Sequence, residues 1–160
     1  MVQERSEYMS IAKEFERRVK EQLSAIKNVF VLRLYDFIGA RDYPSDFIVY
    51  KKPNLICLEC KTCQLKSFPF SNISDTQWTG MLGAIKNILG IKAYVIIWFY
   101  MCDKTLLCSM KTLEQMKAEG YKSIRYDMQR EGIYEVKGTK KSKYFNYDFK
   151  DMLKQIAKEK

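Results

Sequence analysis

From about Glu7 to Ile26, apolar residues recur at Ile11, Phe15, Val19, Leu23 and Ile26. That three-to-four spacing predicts an amphipathic helix, with Lys13, Glu14, Arg17, Arg18 and Lys20 on its other faces. Val29–Phe37 (VFVLRLYDF) is rich in β-branched and aromatic residues and reads as a strand. Gly39, Asp42, Pro44 and Ser45 mark the turn after it. Two short strands follow, Asp46–Tyr50 and Leu55–Lys61, joined by KKPN as a hairpin. Residues 62–73 read as a polar loop containing Pro69. Ser74 is placed to cap a helix running to about Leu89 and stopping at Gly90, a residue suited to a left-handed C-terminal position.

Ala93–Met101 (AYVIIWFYM) is a continuous apolar run, as expected of a strand covered on both faces of a central sheet. Thr105–Ser109 pairs with it across a CDKT turn. Thr112-Leu113-Glu114-Gln115 resembles a capping box opening a short helix that ends at Gly120. Two weaker strands, Ile124–Met128 and Gly132–Val136, precede a lysine-rich loop. A last helix from about Asp148 carries Phe149, Met152, Leu153 and Ile156 on one face. Helices separated by strands, without repeat or linker, predict one α/β domain over residues 1–160, with a central mixed β-sheet flanked by helices.

Composition narrows the chemistry. The 160 residues contain no histidine, which excludes a Ser-His-Asp triad, a Cys-His protease and a histidine-bound zinc. Carboxylates, lysines, tyrosines, cysteines or an oxygen-bound metal must carry any catalysis. A formal charge of +9 points to a polyanionic partner, nucleic acid ahead of an acidic membrane. The polar start MVQERSEYMS contains no apolar leader. The apolar stretch Ala93–Cys102 is about half the ~20 residues a membrane span needs. Five cysteines, an odd number, fit reduced thiols in a cytoplasm.

The chemistry-bearing segment is Pro44-Ser45-Asp46 followed by Leu58-Glu59-Cys60-Lys61. Glu59 and Lys61, two apart on a strand, leave one face roughly 7 Å apart, while Ile56, Leu58 and Cys60 take the other. Across the hairpin Asp46 can lie beside Glu59. Two converging carboxylates need a cation between them, and Mg²⁺, bound by one or two carboxylates with waters and substrate phosphates, is the natural occupant. Such a site suits phosphodiester hydrolysis. Lys61 either orients the attacking water and neutralises charge or acts as a base.

Asp46-x12-Glu59-x-Lys61 on a hairpin behind an N-terminal helix resembles the PD-(D/E)xK nuclease superfamily. Leu58-Glu59-Cys60-Lys61-Thr62, then Ser67-Phe68-Pro69-Phe70-Ser71-Asn72-Ile73 and Gln77, is similar to RecU-type Holliday junction resolvases, particularly the shorter forms in phages of Gram-positive bacteria. Ala12-Lys13-Glu14-Phe15-Glu16 resembles their opening helix.

The resemblance implies a restriction-endonuclease-like core and a homodimeric, Mg²⁺-dependent endonuclease, Mn²⁺ substituting, that nicks branched DNA symmetrically and serves recombination and repair. It implies Asp46 and Glu59 as metal ligands, Lys61 as the catalytic lysine, and Gln77 and Glu16 as supporting residues; by geometry Glu14 is an equal candidate to Glu16. The short Gly39–Ser45 turn leaves little room for the protruding segment of cellular members. Alternatives are a restriction or repair endonuclease on the same scaffold, cutting duplex DNA, and a non-catalytic nucleic-acid-binding module.

Arg41, Lys51, Lys52 and Lys66 are expected nearest the site as phosphate contacts, with Lys140 and Lys141 of the lysine-rich loop as further ones. Cys57-x2-Cys60-x2-Cys63 looks like the start of a metal motif, but strand alternation sends Cys57 and Cys60 to opposite faces, so buried thiols are expected. Trp78 and Trp98 are expected in the core.

Overall fold

The computed structural model describes residues 2–34 and 44–159, with only the backbone of 2–8. Helix α1 (Val2–Ser24) buries the predicted stripe of Ile11, Phe15, Val19 and Leu23. Strand β1 (Phe30–Arg33) follows, shorter than expected at Val29 and Leu34; residues 35–37 of the expected strand, and the Gly39–Ser45 turn as far as Tyr43, lie outside the described residues. Strands β2 (Phe47–Lys51) and β3 (Asn54–Cys63) form the expected antiparallel hairpin, Phe47 opposite Leu58 and Lys51 opposite Asn54. Helix α2 (Asp75–Asn87) carries the chain across to β5 (Ile91–Phe99), which runs parallel to β3. Strands β6 (Lys104–Ser109) and β8 (Ile133–Glu135) add antiparallel neighbours. The main sheet has the order β1-β2-β3-β5-β6-β8, the central mixed sheet expected.

Alternation on the strands divides the core in two. Ile56, Leu58 and Cys60 of β3 join Tyr94, Ile96 and Trp98 of β5 beneath α1 and α4 (Phe149–Lys158). Cys57 and Cys63 join Val95, Ile97 and Phe99 on the opposite face, beneath Trp78 and Met81 of α2 and Leu113 and Met116 of α3 (Met110–Ala118). Every residue from Ala93 to Phe99 is at most 2% exposed, so β5 is covered on both faces. Cys57, Cys60, Cys63 and Cys108 are free and buried, Cys57 and Cys60 on opposite faces.

Three local expectations are corrected. Residues 62–73 are not a polar loop: Thr62 and Cys63 continue β3, β4 (Ser67–Pro69) pairs with β7 (Ser123–Arg125), and a 3-10 turn covers Phe70–Asn72. Burial of Phe68, Phe70 and Ile73 draws this stretch onto the sheet. Helix α3 starts at Met110, so Thr112 is inside it and its hydroxyl donates to the Glu131 carbonyl at 3.1 Å rather than capping. The lysine-rich loop is a ribbon, β9 (Gly138–Lys141) against β10 (Tyr144–Tyr147), anchored by Tyr144 on Trp98 and Tyr147 on Phe15. Among the described residues no helix is long and apolar enough to cross a membrane.

Helix α2 reaches β2 through a close approach: a Cβ at Gly80 would stand 2.7 Å from Pro44 Cβ, whereas one at Gly83 meets nothing within 4 Å. The proline ring cannot swing aside, so Gly80→Ala should lower the urea midpoint, costing about 1–3 kcal/mol. Gly83→Ala, in the same helix, should raise it by about 0.5–1 kcal/mol. Equal shifts from the two substitutions would disprove the contact; an unchanged m-value would confirm that the native state alone is affected.

Candidate active site at the end of the central hairpin

The register of β2 on β3 sets Asp46, the residue before β2, across from Glu59. Asp46 accepts the backbone N–H of Cys60 at 2.8 Å, which fixes its carboxylate against β3. Glu59 and Lys61 share the sheet face under α2, as alternation requires. Glu59 is 2% exposed, and its Oε1 receives Lys61 Nζ at 2.9 Å and Gln77 Nε2 at 2.5 Å. Lys61 also donates to Gln77 Oε1 at 3.1 Å.

Gln77 reaches this position because it completes the first turn of α2. Ser74 is the N-cap; its hydroxyl accepts the Gln77 N–H, and Gln77 Oε1 accepts the Ser74 N–H. The S-x-x-Q spacing carries that signal in the sequence. The glutamine amide is thus shared between a helix cap and a buried ion pair. From the other face, Glu16 of α1 is bridged by Arg33 of β1 at 2.8 Å. Arg33 escapes a reading by motif: it is one charged residue in an apolar strand, and only the fold brings it to Glu16.

Too many acids meet here. Burial, then the Asp46 charge, pushes Glu59 up to about 8, with Lys61 opposing. Burial also raises Asp46, opposed by the Cys60 N–H and by Lys61. Glu16 is raised by burial and then by Asp46, with Arg33 opposing. Each carboxyl is therefore held back from ionising by dryness, and Glu59 and Glu16 by acidic neighbours as well. Glu59 Oε2 is buried with no hydrogen-bond partner. Among the described residues no three or more His, Cys, Asp or Glu side chains form a ready metal cluster. The available set is instead two carboxylates, Asp46 and Glu59, with an orphan oxygen. All-oxygen donors and an unpaired buried acceptor fit a hard divalent cation that keeps other positions for water and phosphate.

The remaining sequence-predicted residues are distributed around this cluster. Glu14 is engaged by Arg17 at 2.6 Å and Arg18 at 2.7 Å, so of the two glutamates it is Glu16 that meets Asp46. Lys51 and Lys52 are not near the site as expected: they sit at the hairpin turn, about 17 Å along β3 from Glu59. Lys66 lies between β3 and β4, beyond Lys61. Lys140 and Lys141 belong to β9, where Lys140 is ion-paired with Asp103. Arg41 lies outside the described residues. Trp78 is buried and donates to Glu114 at 2.6 Å, and Trp98 is buried under α1, both as core residues.

A comparison with curated proteins gives no match. A solved structure of Archaeoglobus fulgidus Hjc, a Holliday junction resolvase from an archaeal hyperthermophile, is similar at 14% identity over 78% of this chain and 86% of that chain, with a TM-score of 0.49. The family model described as Recombination protein U matches residues 40–155, well over half of the chain. That span includes Asp46, Glu59, Lys61 and Gln77, the residues that the hairpin and the cap of α2 bring together. With the match covering the whole of this assembly except Glu16 and Arg33, the chain belongs to the RecU family of Holliday junction resolvases, endonucleases that cut DNA phosphodiester bonds.

Proposed function

We propose that this resolvase cuts DNA at the Asp46–Glu59–Lys61 cluster, nicking two strands of a four-way junction symmetrically and leaving 5′-phosphate ends. The observation that carries this reading is the dry Glu59 carboxylate, one of whose oxygens has no partner, beside a second carboxylate and a lysine. A structural surface hairpin has no use for such an arrangement, because an unpaired buried acceptor costs about 1–3 kcal/mol. Resolvases of this family depend on divalent metal in general. Here Mg²⁺, with Mn²⁺ able to substitute, would be held by Asp46 and Glu59. When bound, it supplies Lewis acidity to the scissile phosphate and to the hydrolytic water.

The chain's own residues divide the remaining work. Lys61, tethered to Glu59 and Gln77, presents a hydrogen-bond donor where negative charge grows on the phosphate. Gln77 keeps Lys61 and Glu59 in register with the first turn of α2. Glu16, fastened by Arg33, sets a further carboxylate beside Asp46 and supports its position. Lys51, Lys52, Lys66, Lys140, Lys141 and Arg41 would contact backbone phosphates, which position a substrate without reading its sequence. Holliday junction resolvases bind branched DNA and typically act as dimers. A homodimer of this chain would place two such sites on one junction.

Two experiments test this. At pH 9, above the raised Glu59 value, Glu59→Gln removes a buried charge, so the metal-free variant should melt above the parent chain there. Mg²⁺ or Mn²⁺ should raise the melting temperature of the parent but not of the variant. An equal metal response in both would remove Glu59 from the ion. Labelled four-way junctions, linear duplex and flaps, given with Mg²⁺, should show junction cleavage above the others. Lys61→Ala should slow that cleavage about 10²–10⁴-fold while junction binding persists. Equal cutting of all three substrates would leave a nuclease of the restriction or repair type; binding without metal-dependent cleavage would leave only a DNA-binding module.

A further inference from the structure

A groove of about 710 Å³ opens between the first turn of α2 and the end of α3, lined by buried Trp78 and by Ser74, Lys117, Tyr121 and Lys122. Its walls are fastened to each other. Trp78 Nε1 donates to Glu114 of α3 at 2.6 Å, and the Phe70 N–H donates to the Lys122 carbonyl at 2.9 Å. Lys117 Nζ lies 4.4 Å from the centre of the Trp78 ring, so the indole face holds the ammonium without neutralising it. Glu119, the acid nearest in sequence to both lysines, is taken by Arg130 at 2.6 Å. Among the described residues neither Lys117 nor Lys122 has an ion-pair partner, and the one acid lining the groove is Asp75, in the first turn of α2. The groove adjoins the proposed cutting site. Lys61 Nζ is 3.1 Å from Gln77 Oε1, which is 3.2 Å from the backbone nitrogen of Ser74 in the groove wall. Ser74 and Asp75 are exposed, so the surface between the two is open.

We propose that this groove holds the sugar–phosphate backbone of the cleaved DNA strand, with Lys117 and Lys122 on phosphates about two nucleotides from the one that is cut. The inference rests on the reading of Asp46, Glu59 and Lys61 as the cutting site, and adds the part of the substrate that lies beside it. Charge and continuity together select the occupant. Two lysines against one acid favour an anion, and Asp75 at the α2 side directs it toward the α3 side, where both lysines stand. A strand advances about 3.4 Å per nucleotide, so one with a phosphate at Lys61 comes level with the groove roughly two nucleotides further on. An ammonium seated on an indole keeps its N–H donors for a phosphate oxygen. Tyr121, 46% exposed, supplies apolar surface for the deoxyribose between phosphates. Such contacts fix the register of the strand against Glu59 and read no bases.

The test is metal-free binding of a labelled four-way junction by the full chain, followed by fluorescence anisotropy across a salt series. Lys117→Gln/Lys122→Gln should weaken binding about tenfold or more at low salt and make the slope of log K against log salt shallower by about 2. Lys117→Arg/Lys122→Arg should stay within about twofold of the parent, because the charge is kept. Lys150→Gln/Lys154→Gln, on the exposed side of α4, should leave the slope as it is. Both groove lysines are exposed, so circular dichroism of the glutamine variant should match the parent. An unchanged slope, or an equal change in the α4 variant, would overturn the groove while leaving the nuclease reading intact. With Mg²⁺ added, a neutral methylphosphonate is walked through the three linkages on each side of the cut. At one of them it should slow the parent about tenfold and the glutamine variant no further, since the two changes remove the same contact. Equal slowing of both chains at every linkage would overturn the placement beside the cut. Binding altered as expected in a chain that cuts nothing would sustain the groove and remove the nuclease reading.

Discussion

A carboxylate that is sealed from water yet left with a free oxygen is the constraint around which this protein is arranged. Glu59 gives one oxygen to Lys61 and Gln77 and keeps the other bare, next to Asp46. Desolvation disfavours its anion, and the neighbouring acid disfavours it further. A chain selected for stability alone would place an amide or an apolar residue there. The cluster makes physical sense if positive charge arrives from outside, as the ion proposed to lie between the two carboxylates, beside the lysine already paired with Glu59.

The scaffold delivers these groups through few contacts. Strand alternation on β3 sends Ile56, Leu58 and Cys60 into the core under α1 and turns Glu59 and Lys61 toward α2. Helix α2 then touches both strands of the hairpin. Gly80 lets it lie against Pro44, two residues before Asp46, and Gln77 reaches Glu59 and Lys61 on the neighbouring strand. Since Gln77 is also the N3 partner of the Ser74 cap, the geometry of the site and the start of the helix are one structure. Disturbing the cap therefore costs helix stability, about 1 kcal/mol, and at the same time loosens one of the two contacts that hold Lys61.

Much of this was legible in the chain, for identifiable reasons. The hairpin and the opposition of Asp46 to Glu59 follow from period-two alternation and a short turn, both local features. The stripe of α1 and the buried run of β5 are likewise periodic signals. Failures came where tertiary context overrode a local pattern. Thr112 sits at capping-box spacing, yet α3 had already begun at Met110 and the hydroxyl found the Glu131 carbonyl. The stretch 62–73 has turn-rich composition, but Phe68, Phe70 and Ile73 make it part of the core. Lys51 and Lys52 are near Asp46 in sequence and far in space, because a hairpin turn lies a strand's length from its open end. The union of Glu16 with Arg33 joins two elements with no motif between them.

Charge distribution separates how such a surface holds DNA from where it cuts. Many acids are already engaged: Asp103 by Lys140, Glu119 by Arg130, Asp127 by Arg125, Glu135 by Lys104, and Glu14 by Arg17 and Arg18. Exposed pairs of this kind add little stability, but they cancel locally and leave the surplus of +9 to lysines such as those of the hairpin turn. Attraction from those lysines is long-ranged and weakens as salt rises. The grip of Asp46 and Glu59 on an ion in a dry recess, as proposed, would be short-ranged and far less sensitive to salt. Lysines of that kind would gather any duplex, whereas the proposed site would act only on a phosphate presented to its carboxylates and Lys61. Selectivity for branched over linear DNA would then need no reading of bases, only a substrate whose shape brings a phosphate to that recess.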